Sequence, residues 1–244
     1  MRSPQSAAAA KLDTLQIRPV ARGPSVNETV YEALKGRITN NQLRAGVKLT
    51  HQELAEQLNV SRTPVREALE RLYQEGLVTR QPRRGFYVAE INDDDARELF
   101  ELREALEVYA LRLSLARGIG PADLRRLDDL NRSHRALMRT GSTRELMMAN
   151  RDWHMALASL GGNRSLLNSL GAVFEKLILK IRADAGHTVR GEENLSEHIQ
   201  MNEALRAGDL ARAERLLAEH IQAARSRLSA HLGEGAGPAP RSER

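Results

Sequence analysis

The sequence predicts a mainly α-helical protein, with a small two-stranded hairpin in its first third and an all-α antiparallel bundle of six or seven helices after it. Three observations predict this. Short helical stripes opened by Ser or Thr at capping spacing fill residues 25–76. Two short β-type runs, Leu77–Thr79 and Gly85–Val88, flank a QPRR turn. From Asp93 onward the apolar residues recur at helical spacing, interrupted by Gly- and Pro-bearing breaks. The resulting organisation is a disordered arm (1–23), a first domain (24–91), a helical domain (92–232) and a disordered tail (233–244).

Composition narrows the function classes. The 244 residues are 41% hydrophobic, which is enough for a core, and none is Cys. Disulfides, thiolate metal sites and Cys nucleophiles are thereby excluded. No apolar run approaches the ~18 residues of a membrane span, and the N-terminus lacks the apolar core of a secretory signal, so a cytoplasmic protein is expected. Residues 1–90 hold 14 Lys+Arg against 9 Asp+Glu, while residues 91–244 hold 23 of each, so the whole net charge of +5 lies in the first third. That asymmetry fits a polyanion partner at one end, although a basic tail can also serve solubility alone.

Within the first domain, Ser25 and Glu28 have capping-box spacing, and Val30, Ala33, Leu34 and Ile38 form the stripe behind them. RAGVKL leads through a turn into an extended stretch, and Thr50 with Glu53 repeats the capping pattern before Leu54, Ala55 and Leu58. Ser61 caps a third helix with Pro64 in its first turn and Val65, Ala68, Leu69 and Leu72 on one face. Three helices followed by a hairpin make a winged helix-turn-helix. The third helix presents Arg62, Thr63 and Arg66 at the end that enters a major groove, and Arg83, Arg84 and Gly85 stand at the wing tip. Arginine's planar fork suits guanine or phosphate; the plain alternative is that these arginines are only solvated.

LTHQELAEQLNVSRTPVREALERLYQEGLV followed by RRGFYV resembles the DNA-binding domain of the GntR family of bacterial transcription regulators, over about residues 25–90. The resemblance implies operator contacts from Arg62, Arg66 and the Arg84–Gly85 pair, with Ser61, Thr63 and Arg83 as candidate DNA contacts beside them. It implies another from Gln52, where relatives commonly carry arginine.

The helical half reads as helices at 93–117 and roughly 122–140, 143–160, 164–185, 190–207 and 209–231. The first has Leu99, Leu102, Leu106, Tyr109, Ala110 and Leu113 as its main apolar stripe. His198 and His220 flank an AGD turn at similar heights if the last two helices form an antiparallel hairpin. With His154 they could converge on a metal ion, and Asn150, one turn before His154, could add an amide oxygen. The alternative is three ordinary interfacial histidines. LREALEVYALRL, NRDWHMALASLGGN and SEHIQMNEALRAGDLARAERLLAEH resemble the FadR C-terminal domain, the ligand-binding module of that subfamily, over about residues 93–231.

This second resemblance implies a divalent metal, zinc or nickel, held by His154, His198 and His220, with Asn150 where relatives place Asp. It implies a small carboxylate metabolite as effector, paired with Arg103, with Arg144 and Asn202 as wall residues. Read from spacing alone, Arg103 is an exposed i, i+4 partner of Glu107. The expected function is a non-enzymatic DNA-binding regulator, a repressor acting as a homodimer on double-stranded operator DNA. A metal-responsive regulator and a zinc-dependent hydrolase are the alternatives; no HExxH run supplies the latter with a base.

Overall fold

Ser25 opens helix α1 (Val26–Thr39) by accepting the Glu28 backbone N–H at 3.2 Å. In the computed structural model, which describes residues 25–180 and 191–235, α1 is followed by β1 (Lys48–Leu49), α2 (His51–Leu58), α3 (Arg62–Gln74), β2 (Val78–Gln81) and β3 (Gly85–Val88). The Ser25 and Thr50 caps form, but neither reciprocal half of a capping box does. Glu28 pairs with Arg71, and Glu53 turns to the Thr50 hydroxyl. Ser61 sits at the N-cap of α3 without a side-chain cap bond, contrary to the capping expected of it; its hydroxyl is left to other partners.

Leu34, Val65, Leu69, Leu72 and Leu77 are fully enclosed between α1, α3 and the sheet. The wing has three strands in the order β1-β3-β2, all antiparallel, rather than two. Lys48 and Leu49 pair with Tyr87 and Phe86, while Arg80 on β2 also faces Phe86. A two-residue strand leaves no alternation to read in sequence. It forms because Gly46, at φ +77°, turns the chain so that Val47 and Val88 can bond across.

Six helices follow: α4 (Asp93–Arg117), α5 (Pro121–Thr140), α6 (Thr143–Ser159), α7 (Arg164–Lys180), α8 (Gly191–Arg206) and α9 (Leu210–Gly235). Asn92 and Asp95 close a full capping box on α4, as Ser142 and Glu145 do on α6. Pro121 occupies the first turn of α5, where its missing N–H costs nothing. The bundle core joins Phe100, Leu111, Leu127, Trp153, Leu177, Met201, Leu217 and Ile221. The α8–α9 hairpin turns at Gly208 (φ +69°), and α9 runs antiparallel to α4, with Glu214 at Arg112 and Gln222 at Glu104.

The expected stripe on α4 points inward only in part: Ala110 is buried and Leu99 and Leu106 pack on the core. Ala96, Phe100, Arg103, Glu107, Ala110, Leu111 and Ser114 are buried, whereas Leu102 and Tyr109 are 47% and 53% exposed. Two charged residues point inward, so apolar periodicity alone misplaces part of the face. Helix α9 continues to Gly235, three residues into the stretch read as tail; residues 236–244 and the 1–23 arm lie outside the described residues, as does the expected end of α7 at 181–185.

The two halves meet at the end of α7. Leu179 packs on the first core, and the Lys35 ammonium binds Glu175 on α7 (2.9 Å), Glu75 (3.1 Å) and the Tyr31 hydroxyl (2.9 Å). Burial pulls Lys35 down, but these partners outweigh it and hold its pKa above the ordinary lysine range. Leu69→Ala, at a fully buried position of α3, should cost about 2–5 kcal/mol by transfer and cavity terms. Urea unfolding followed by circular dichroism checks this; a loss below about 1 kcal/mol would contradict the packing described.

Candidate functional site

Two groups of residues stand apart chemically, one on the surface of the first core and one inside the bundle. Arg62, Thr63 and Arg66 are exposed at the start of α3, because Pro64, Val65, Ala68 and Leu69 take its inner face. Arg83 and Arg84 are exposed at the turn between β2 and β3. Arg83 itself adopts φ +62° and Gly85 φ +97°, which carries the turn outward. Neither pair of arginines has a carboxylate partner among the described residues, in contrast to Arg71, Arg80, Arg103 and Arg112. Gln52 is exposed on α2 and donates to Glu56 at 3.1 Å. Unpaired guanidiniums beside the free N–H groups of a helix start form an anion-binding face.

The bundle interior holds the second group. His154 from α6, His198 from α8 and His220 from α9 are each essentially without solvent contact. Their Nε2 atoms converge, with His154 at 3.0 Å from His220 and 3.4 Å from His198. Behind them, His154 Nδ1 donates to Glu107 at 2.6 Å and His220 Nδ1 donates to Glu197 at 2.6 Å. With the ring proton on Nδ1, each neutral imidazole turns an Nε2 lone pair toward the shared point; the tautomers follow from the partners. Carboxylates in this position orient histidine ligands in metal sites. Ligands ~2.1 Å from one ion stand roughly 3.0–3.4 Å apart for right-angled to tetrahedral arrangements, which matches the observed spacings.

Burial, joined by Arg103 and neighbouring histidines, drives His154 and His198 well below the ordinary imidazole range. His220 is lowered by burial and Arg103 against the opposing pull of Glu197 and Glu107, and burial alone lowers His134. Burial pushes Glu107 up, and Arg103 opposes it. The carboxylate is still the form the geometry fits, because two N–H groups point at its oxygens and Arg103 cannot give up its proton.

Arg103 combines both readings of its position. It does pair with Glu107 (2.6 Å), but buried rather than exposed, and its Nη2 donates to His154 Nε2 at 2.9 Å. Its guanidinium lies over Phe174, 4.6 Å from the ring centroid. Inside the bundle are buried polar atoms without hydrogen-bond partners: Asn150 Oδ1 and Asn202 Oδ1, each four residues from a cluster histidine, His198 Nδ1, both ring nitrogens of His134, and Arg144 Nε farther along α6. Both side-chain polar atoms of Asn131 are equally unpartnered, although Asn202 does donate to Asp128 at 2.8 Å. Buried polar atoms of this kind are normally satisfied, so each one points to an absent partner. A surface cleft of about 480 Å³, lined by Arg135, Met138, Leu195 and Gln200 among others, lies on the same α5–α8 seam, but no residue of the histidine cluster lines it.

Of the residues singled out in sequence, the structure brings His154, His198, His220 and Arg103 together and leaves Asn150, Arg144 and Asn202 as buried polar side chains of the bundle, while Glu107 and Glu197 anchor two of the rings without having been singled out. Sequence reading also missed Asn131, His134 and Trp153, whose ring stacks on His198 at 4.0 Å and 7°. Asn131 and His134, at i, i+3 in NRSH, were a legible signal, because two polar residues interrupt an apolar face there.

The chain matches the family model described as bacterial regulatory proteins, gntR family, over residues 26–88, and the FCD domain over residues 98–223. It is 30% identical over 198 residues to the HTH-type transcriptional regulator BphR of Paraburkholderia xenovorans, covering 78% of this chain and 80% of that one. It is 36% identical over 87 residues to the HTH-type transcriptional repressor RspR of Escherichia coli, covering 36% of this chain and 38% of that one. The solved structure of E. coli McbR/YncC superposes with a TM-score of 0.73 at 25% identity, covering 84% of this chain and 98% of that one.

The lowered imidazoles give a pH dependence with a definite sign. Above the ordinary value of 6.5 they are neutral in both folded and unfolded chains; below it the unfolded chain takes up protons that the fold refuses. Thermal unfolding of chelator-treated protein should therefore be flat from about pH 8 to 7 and fall by several degrees toward pH 5.5. A melting temperature that rises on acidification over that range would contradict the assignment.

Proposed function

With both halves matched, the chain belongs to the GntR family of bacterial transcriptional regulators and carries an FCD domain, and from that premise we propose that it represses transcription by holding operator DNA as a homodimer until a small carboxylate metabolite binds in the bundle. The observation that carries this reading is the group of buried, unpartnered polar atoms inside the bundle that holds three converging imidazoles. The donor set fits a divalent metal such as zinc or nickel. His154, His198, His220 and the Asn150 amide oxygen would hold it, and when bound it supplies a positive charge to which a carboxylate can attach. Glu107 and Glu197 keep two of the imidazoles turned inward. With the ion bound, His154 Nε2 exchanges its bond from Arg103 for the metal, which frees the Arg103 Nη2–H for the same acid, while Arg144, Asn202, Asn131 and His134 provide further polar wall. RspR of E. coli is a transcriptional repressor, which supports the direction of control.

Residues 24–91 would form the DNA-binding domain and 92–232 the effector-binding and dimerisation domain, acting in the cytoplasm. Arg62, Thr63 and Arg66 would read a major groove, and Arg83, Arg84 and Gly85 would touch flanking DNA, with Gln52 and Ser61 as further contacts. Helix α7 links the two ends physically. Phe174 lies over Arg103, and the next residue, Glu175, binds Lys35 on α1, which packs on α3. A change at Arg103 on acid binding would thus shift the support of the recognition helix. A regulator responding to the ion alone is the second reading, favoured by the same donor set. Titrating carboxylic acids at constant metal separates the two. The matched relatives are named as regulators of transcription, which sets the hydrolase alternative aside.

Arg66→Ala should weaken operator binding by roughly 1–3 kcal/mol and relax one base preference per half-site, whereas Arg84→Ala should weaken binding uniformly and flatten its salt dependence. Fluorescence anisotropy at fixed salt checks both; wild-type affinity for Arg66→Ala would remove the recognition-helix assignment. His198→Ala should abolish zinc or nickel binding measured by calorimetry, and Asn150→Asp should tighten it by adding a carboxylate. Equal affinity in all three proteins would mean that this is no metal site. Arg103→Ala is a poor probe of the pocket, because it strands the buried Glu107 carboxylate at a cost of roughly 3–5 kcal/mol.

A further inference from the structure

The outer face of α4 carries a pattern that the described residues leave largely uncovered. Glu98, Leu102, Ala105, Tyr109, Arg112 and Ala116 are all exposed. They follow one another at alternating steps of four and three residues, so they form one straight stripe along about 27 Å of helix. The other faces of α4 are taken by α6, α7 and α9. Leu102 and Tyr109 are two of the six large hydrophobic side chains most exposed among the described residues.

The order of the stripe is self-complementary. Placing a second α4 antiparallel across a two-fold axis at Ala105 brings Leu102 opposite Tyr109, and Glu98 opposite Arg112. The same two contacts are repeated on the other side of the axis, as an isologous interface requires. Ala105 meets its own copy at the crossing, where a methyl side chain lets helix axes approach to about 8 Å. Glu98 has no hydrogen bond or ion pair among the described residues. Arg112 is held by Glu214 through two bonds, one from Nε at 2.9 Å, yet its side chain remains 60% exposed, so the outer edge of the fork is free for a second carboxylate. An unrelated partner would need no such reversal of charge and size about a centre.

We infer that this stripe is the surface through which two copies of the chain pair, a proposal that rests on the homodimer reading above. Opposite charges at mirrored positions fix the antiparallel register, and the Leu102–Tyr109 contacts bury the apolar area.

The chain has no Cys, so one can be introduced cleanly. Full-length Ala105→Cys should form a disulfide-linked dimer under mild oxidation, whereas Arg215→Cys, on the outer side of α9, should stay monomeric on a non-reducing gel. In sedimentation velocity, Leu102→Glu and Glu98→Arg should each weaken the dimer by roughly tenfold or more, because each change acts twice across the axis. Adding Arg112→Glu to Glu98→Arg should restore part of that loss. A wild-type dimer in which Ala105→Cys cross-links no better than Arg215→Cys, or in which Leu102→Glu leaves dissociation unchanged, would overturn this surface while leaving the homodimer reading intact. A wild-type chain that stays monomeric at all concentrations, free and on operator DNA, would overturn both.

Discussion

Glu107 and Glu197 stand behind His154 and His220 and take the hydrogen bonds of their Nδ1 atoms, and this aims two lone pairs at a point deep in the bundle. The third imidazole, His198, is held by stacking on Trp153 instead. The three imidazoles come from three different helices and Glu107 from a fourth, so the arrangement exists only while α4, α6, α8 and α9 keep their packing. Burial keeps the rings neutral, which a cation-binding centre requires, and it makes every unpartnered polar atom nearby costly. The bundle therefore maintains a polar interior in an otherwise leucine-rich core. A domain selected for stability alone would gain by filling that space with apolar groups.

The Arg103–Glu107 pair shows the same constraint from the other side. A buried ion pair is weak as a source of stability, but here each member also orients something else: Glu107 fixes His154, and Arg103 reaches the same ring while lying over Phe174. From Phe174 the next residue leads to the Lys35–Glu75–Glu175 cluster and the helices that carry the exposed arginines. The chemistry of the interior and the position of the exposed arginines are thus joined by one helix.

Much of this was legible in sequence. Helix α4 starts and stops where Asp93 and Gly118 place it, and the histidines flanking the AGD turn do meet, with ring centroids of His198 and His220 5.1 Å apart. Local signals sufficed there because capping residues and turn glycines act over a few positions. What failed was anything set by tertiary partners. Glu28 has the spacing of a capping box but binds Arg71, because an ion pair across two helices competes with the local bond. The stripe through Leu102 and Tyr109 looked like the core because two charged residues on the true inner face broke its periodicity. Strand β1 falls in the expected extended stretch, but two residues are too few to show that it joins the wing, and Glu107 and Glu197 read as surface charges until the rings they hold are placed.

Whether the histidine cluster holds a metal and a small acid, in a protein that works as a pair on DNA, decides the proposed function. Native mass spectrometry of the purified full-length protein, combined with elemental analysis, tests it in one measurement. The account predicts a dimer carrying one divalent ion per chain, with the mass of a small organic acid retained or taken up from a panel of added carboxylates. A dimer that carries no ion, takes up none when zinc or nickel is supplied, and retains no acid would contradict it.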